Sequence, residues 1–235
     1  MIASEPGTVL HVGFAPDPWA WAPWHYANDA GRFDGRWDDE LGEFRTIYTA
    51  DSLLGCFLEL LARFRPSAPL VSALDEIEDD DGTMAQFPDQ AAGSVGYSWL
   101  EGREYGSAIQ SGKYCYITHS RTIAALQQHY PFARHGLGLV DVDAALLKDA
   151  RDRVLTRSIA RWLYDLRGDR RDELVDGIEF RSRHGDEIRM WALFERGHDA
   201  ERSQCLLPNR MPVRVAEDLP DLVEAMRRHG LHWSE

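Results

Sequence analysis

Between residues 51 and 66 the apolar side chains recur at helical spacing. Leu53, Leu54, Phe57, Leu60, Leu61 and Phe64 fall on one face. A helix is predicted over 51–64, with the short oxygen-bearing side chain of Asp51 or Ser52 accepting from an orphan first-turn N–H, and with Arg65-Pro66 as its stop. Immediately upstream the period changes to two. Phe44, Thr46, Tyr48 and Ala50 alternate with Arg45, Ile47 and Thr49, which predicts a strand over 44–50. Residues 8–14 read as a first strand, with Val9, His11 and Gly13 on one face and Leu10, Val12 and Phe14 on the other. A second amphipathic helix is predicted over 152–167, its inner face formed by Val154, Leu155, Ser158, Ile159, Trp162, Leu163 and Leu166.

A β-hairpin follows, with arms at 177–183 and 188–195 around a turn at 184–187. On its first arm Ile178, Phe180 and Ser182 share a face. A serine that continues an apolar face needs a partner if it is buried. The remaining pattern gives a strand at 113–120, a helix at 121–130, and a strand at 137–143 leading to a short helix at 144–150. A last helix has Pro220 near N1 and Gly230 at C′. Residues 97–110 read as an edge element. Residues 66–95 are weakly patterned; their run DEIEDDDG reads as a solvated loop and lacks the ligand spacing of a calcium-binding loop. Strands and helices do not alternate strictly, so the expected fold is α+β, one domain over 1–235 with small mixed sheets flanked by helices.

Composition narrows the function. The chain of 235 residues is 44% hydrophobic, sufficient for a sizeable core, and its formal charge of −13 argues against direct binding of nucleic acid or of an anionic membrane surface. An anion would have to be held by local arginines. Only Lys113 and Lys148 are lysines, so nearly all the cations are forked guanidiniums suited to phosphate or carboxylate. Cys56, Cys115 and Cys205 form no CxxC pair, which suggests free thiols and a cytoplasmic setting; no signal peptide or membrane-spanning run is expected. Trp19, Trp21 and Trp24 crowd one Pro-rich segment that is expected to fold over the core or line a cleft.

No phosphate-binding glycine loop, zinc-protease helix or nucleophile elbow is present, and the histidines lack metal-ligand spacing. Glu59 stands out because its helical neighbours are Gly55, Cys56 and Ala62 rather than long polar side chains. Two readings stand: a solvated glutamate paired with Arg63, or a carboxylate on a face against which an element or a ligand packs closely. Arg36, Tyr48, His11 and Ser182 join it as candidates from separate elements. Such a set makes a poor hydrolytic triad, since no base is paired with the serine, but it suits a ligand bearing phosphate, ribose and a planar ring.

The Gly35-Arg36-Trp37 turn, Tyr48-x-Ala50, a Tyr-to-Glu spacing of eleven and the later DGIEFRS together resemble the RES domain family. The resemblance is good over about 31–66 and moderate over 155–195. It implies a fold similar to ADP-ribosyltransferase toxins, with core motifs in 8–66 and 152–195 and extra length within 67–150. It also implies the toxin of a toxin–antitoxin pair, cleaving the nicotinamide–ribose bond of NAD⁺ by hydrolysis or phosphorolysis. NAD⁺ is then a substrate, and no cofactor or metal is required. The implied partner is an Xre-like helix-turn-helix antitoxin, and homodimer formation is left open. Residue by residue, Glu59, Arg36 and Ser182 match the family's catalytic positions, with Thr156 or Ser158 as rival serines. Tyr48, His11, Trp37 and Arg32 are the expected substrate-binding set. The first strand departs from the pattern: Leu10-His11 stands where the family often carries an arginine, and Arg32 is the alternative cation. A weakened nucleotide- or partner-binding protein, or an ADP-ribosyltransferase, are the alternative functions.

Overall fold

The computed structural model describes residues 1–66, 93–149 and 153–235. Among them one large sheet runs through the molecule. In chain order its strands are β1 (Ala3–Ser4), β2 (Gly7–Phe14) and β3 (Thr46–Ala50); then, past a separate β4 (Ser94–Gly96), β5 (Arg103–Gln110), β6 (Tyr114–Tyr116), β7 (Gly177–Ser182), β8 (Gly185–Phe194), β9 (Leu206–Pro208) and β10 (Val213–Arg214). The spatial order is β1-β6-β7-β8-β3-β2-β5-β10, with β9 also on β5. All pairs are antiparallel except β6 with β7. The helices are α1 (Leu53–Leu61), α2 (Ser120–His129), α3 (Ala144–Lys148), α4 (Arg153–Asp165) and α5 (Pro220–His229), after which β11 (His232–Ser234) pairs in parallel with β4.

Strand alternation divides the core in two. Val12, Ala50, Ile178, Phe180, Met190 and Ala192 face the larger cluster, which takes in the buried sides of α1, α4 and α5. Val9, Ile47, Ala108, Trp191 and Leu193 face the other way, where Trp19 and Trp21 cover them. Trp24, the third of that group, stays 40% exposed. No helix among the described residues is long and apolar enough to cross a membrane.

The junction of β2 and β3 positions the site. A single register pair, Leu10 with Ala50, joins them, although β2 pairs with β5 over its whole length and β3 with β8 over its whole length. Beyond that point the two strands part and leave a gap in the sheet.

The long periodic elements and the short helix α3 lie where the pattern put them, but the hairpin turns at 183–184 and not at 184–187, its second arm starting already at Gly185, and the other short segments differ more. Residues 103–110 form an inner strand between β2 on one side and β9 with β10 on the other, not an edge. Of 113–120 only Tyr114–Tyr116 is strand. The predicted strand at 137–143 is a 3₁₀ turn at Leu139–Asp141, closed by Gly138 N–H donating to Asp141 Oδ2 at 2.9 Å, an aspartate competing locally with ladder formation. Val154, expected on the inner face of its helix, is 67% exposed, and Thr156 is buried instead. The DEIEDDDG run lies outside the described residues. Residues 94–148, within the region of expected extra length, supply β5 and β6 to the main sheet.

Candidate active site

Ser52 is the N-cap of α1, its hydroxyl accepting from Gly55 N–H at 3.1 Å. One turn on, the small residues have a packing explanation. A Cβ on Gly55 would lie 2.6 Å from Ile188 Cγ2, and Cys56 Sγ donates to Leu10 O at 3.4 Å. That face is narrow because β2 and β8 press against it. Glu59 is half-buried and reaches past the strands to line a cavity of about 870 Å³, within the usual size of a small-ligand site. Behind it, off the cavity wall, stands Ser182, 1% exposed. Its Oγ donates to Glu59 Oε1 at 2.6 Å and accepts from His184 N–H at 2.9 Å. The buried serine of the hairpin's apolar face thus has its partner, and the contact ties α1 to the β7–β8 hairpin where the register shifts after Arg181. Thr156, the rival serine position, sits in the core with its hydroxyl toward Arg153 O at 3.4 Å.

Arg36 reaches the cavity from a turn that only glycine could begin. A Cβ at Gly35 would lie 2.4 Å from the Tyr48 hydroxyl. Gly35 N–H donates to Asp38 Oδ2 at 2.5 Å, and the Tyr48 hydroxyl donates to Asp38 Oδ1 at 2.9 Å while accepting from Trp37 N–H at 2.8 Å. The Arg36 guanidinium lies 4.7 Å over the Phe180 ring centroid and donates to Lys148 O at 2.9 Å. Burial pulls its pKa below the ordinary arginine value. The charge of Glu59 opposes that shift, and Arg183 and Arg153 reinforce it. Arg63, Arg153 and Arg183 line the same cavity as Arg36. Asp17, Asp34, Asp38, Glu59 and Glu201 line it too, so the guanidiniums offer an anion a local grip and not a uniformly positive wall.

The cavity lies where β2 and β3 part, and consecutive residues of both strands, 11–14 and 46–48, line it together with Arg45 just before β3. His11 spans the opening: its Nδ1–H donates to Tyr48 O at 2.7 Å. Burial holds its pKa below the ordinary histidine value, so at neutral pH it contributes a neutral ring. Further out the wall is aromatic and apolar, with Trp21, Pro23, Tyr26 and Phe33.

The structure therefore brings Glu59, Arg36, Tyr48 and His11 to one cavity, with Ser182 on Glu59. Two of the expected substrate contacts are not there. The Trp37 side chain is fully buried, packed 6.1 Å from Phe180, and only its backbone N–H serves the site. Arg32 is exposed and off the cavity wall, its backbone closing a turn with Asn28. Among the described residues no group of three or more His, Cys, Asp or Glu is arranged to hold a metal ion. Sequence reading missed Asp38, Arg63, Arg153 and Arg183. Asp38 carried a general signal only, since glycine and aspartate both mark turns. The arginines carried none, because nothing in the spacing of a helix end and a hairpin turn shows that they converge.

Comparison with known proteins gives two findings. The model of the family described as RES domain matches residues 9–216. Among solved structures the chain is similar to one from "Crystal structure of the M.tuberculosis MbcT-MbcA toxin-antitoxin complex", at 16% identity and a TM-score of 0.46, covering 96% of this chain and 91% of that one. No curated protein matches.

Proposed function

We propose that this chain, which belongs to the RES domain family, cleaves the nicotinamide–ribose bond of NAD⁺ and acts as the toxin of a toxin–antitoxin pair. The observation that carries the reading is a carboxylate and an arginine cluster on the walls of one cavity, with a buried serine donating to the carboxylate. Arg36 holds the pyrophosphate, aided by the neighbouring guanidiniums. The bond to be broken joins C1′ of ribose to the ring nitrogen of a cationic nicotinamide. As it lengthens, the electron pair leaves with nicotinamide and positive charge moves onto C1′ and the ring oxygen. Glu59 stabilises that charge, an interaction stronger in the transition state than in the ground state. Ser182 fixes Glu59 by occupying Oε1. Water then adds to C1′ and loses a proton, giving ADP-ribose; inorganic phosphate in its place gives the 1-phosphate. The ring of Tyr48 and the neutral His11 form the floor beside the ribose. The partner is an Xre-like helix-turn-helix antitoxin.

Purified protein should release nicotinamide from NAD⁺. Glu59→Gln should lower kcat by at least ~10² while NAD⁺ binding and the melting temperature are retained. Release at the wild-type rate from Glu59→Gln would sink the assignment. Product analysis with and without phosphate separates the two acceptors, and label appearing on macromolecule would mark a transferase. The neutral His11 favours a second reading, a nucleotide-binding protein without turnover, which calorimetry would reveal as NAD⁺ binding with no nicotinamide released.

A further inference from the structure

The turn that carries Arg36 is clamped on both sides by one buried carboxylate. Asp38 is 5% exposed, and both of its oxygens are engaged. Oδ2 accepts from Gly35 N–H, the residue before Arg36. Oδ1 accepts from the Tyr48 hydroxyl, which in turn accepts from Trp37 N–H, the residue after Arg36. The turn is closed again by Asp38 N–H to Gly35 O at 3.4 Å, and Arg157 donates to the same carbonyl at 3.2 Å. A tyrosine hydroxyl has one proton to give, and here it is given to Asp38, so Tyr48 has no proton for a ligand unless this network breaks. Burial raises the pKa of Tyr48 well above its ordinary value and also raises that of Asp38, while the hydrogen bond from Tyr48 works to keep Asp38 ionised.

We infer that Asp38 is a positioning residue for the anion-binding arginine: acting through the Tyr48 hydroxyl and the Gly35 amide, it fixes the backbone on either side of Arg36 and so aims the guanidinium into the cavity. Tyr48 then serves the site mainly as the second half of this clamp. Donation from the Tyr48 hydroxyl to ribose is excluded while the clamp is closed. The inference rests on the proposed reading only for the identity of the anion.

The test is a double-mutant cycle on the full chain, with a second readout that needs no turnover. Asp38→Ala, Asp38→Asn and Tyr48→Phe are made in the wild-type and Arg36→Ala backgrounds, each checked for a wild-type melting profile. With NAD⁺, Asp38→Ala should raise KM roughly ten-fold with kcat within about three-fold, since the interaction lost is one of binding. In the Arg36→Ala background the same change should add nothing, because coupled residues are not additive. Asp38→Asn, which keeps one acceptor oxygen, should fall between, and Tyr48→Phe should follow it. The Arg36 side-chain N–H signal in ¹⁵N NMR should be resolved in the wild type, held by Lys148 O, and broadened in Asp38→Ala and Tyr48→Phe. Fully additive effects, a fall in kcat at unchanged KM, or an unmoved Arg36 signal would each overturn the inference. If the wild type releases no nicotinamide, the proposed function fails, and the NMR arm still decides the role of Asp38. If Asp38→Ala does not fold, Tyr48→Phe, which removes one oxygen atom, carries both arms.

Discussion

The imidazole of His11 lies between two backbone carbonyls, those of Tyr48 and Pro18, and burial sets its pKa below the ordinary 6.5. His184 shifts in the same direction, burial again outweighing the nearby charge of Glu59. For both, the unfolded chain takes up protons before the folded chain does. Their contribution is therefore fully present above about pH 6.5 and is lost as pH falls from there toward the folded-state values. Melting temperature measured between about pH 5 and pH 8 should drop on the acid side, and His11→Gln should flatten part of that slope. At this scale much of the site was legible. Ser182 announced itself as a hydroxyl on an apolar face, and Glu59 as a carboxylate among small neighbours. The Arg36–Asp38 turn was legible in part, since glycine and aspartate mark turns. What could not be read was that Tyr48 spends its hydroxyl inside the protein, because a hydrogen bond between a strand and a turn leaves no trace in spacing.

Helix α1 was expected to leave one face for a ligand or a neighbour, and the neighbour takes it. Gly55 meets Ile188 of β8, and Cys56 meets β2. Gly55→Ala is therefore expected to destabilise, even though alanine is the better helix former by about 1 kcal/mol. The added methyl would have to displace a strand side chain from 2.6 Å, and a net loss of about 1–3 kcal/mol should appear in chemical denaturation. Elements with sustained periodicity, such as α1, α4, β2 and the β7–β8 hairpin, were legible because burial on one face writes itself into the chain every two or 3.6 residues. β9, β10 and β11 span two or three residues each, too few to show a period, and each exists only because a partner strand offers its edge. The turn at 139–141 misled for the opposite reason: its alternation of apolar and polar residues is real, but Val140 points to solvent.

Across the whole molecule, the gap between β2 and β3 converts a continuous sheet into one with a slot, and the arginines gather at that slot in a chain of net charge −13. Neither the parting of the strands nor the convergence of arginines from five segments is visible without the fold. The helix that carries Glu59 is itself backed by α5: Leu222, Ala225 and Met226 are buried against the core, and His229 Nε2–H donates to Leu58 O at 2.7 Å. The family match ends at residue 216, so this support lies beyond it. Leu222→Ala should cost about 2–5 kcal/mol in denaturant unfolding, and any nicotinamide release should fall with the folded fraction. The order of translation adds to this. Every residue of the proposed catalytic set, from His11 to Ser182, leaves the ribosome before α5 does. Until residues 220–229 emerge, α1, which carries Glu59, has an uncovered apolar side. A ribosome-bound chain stalled before residue 220 is thus expected to be inert, and competence arrives only as that helix folds down.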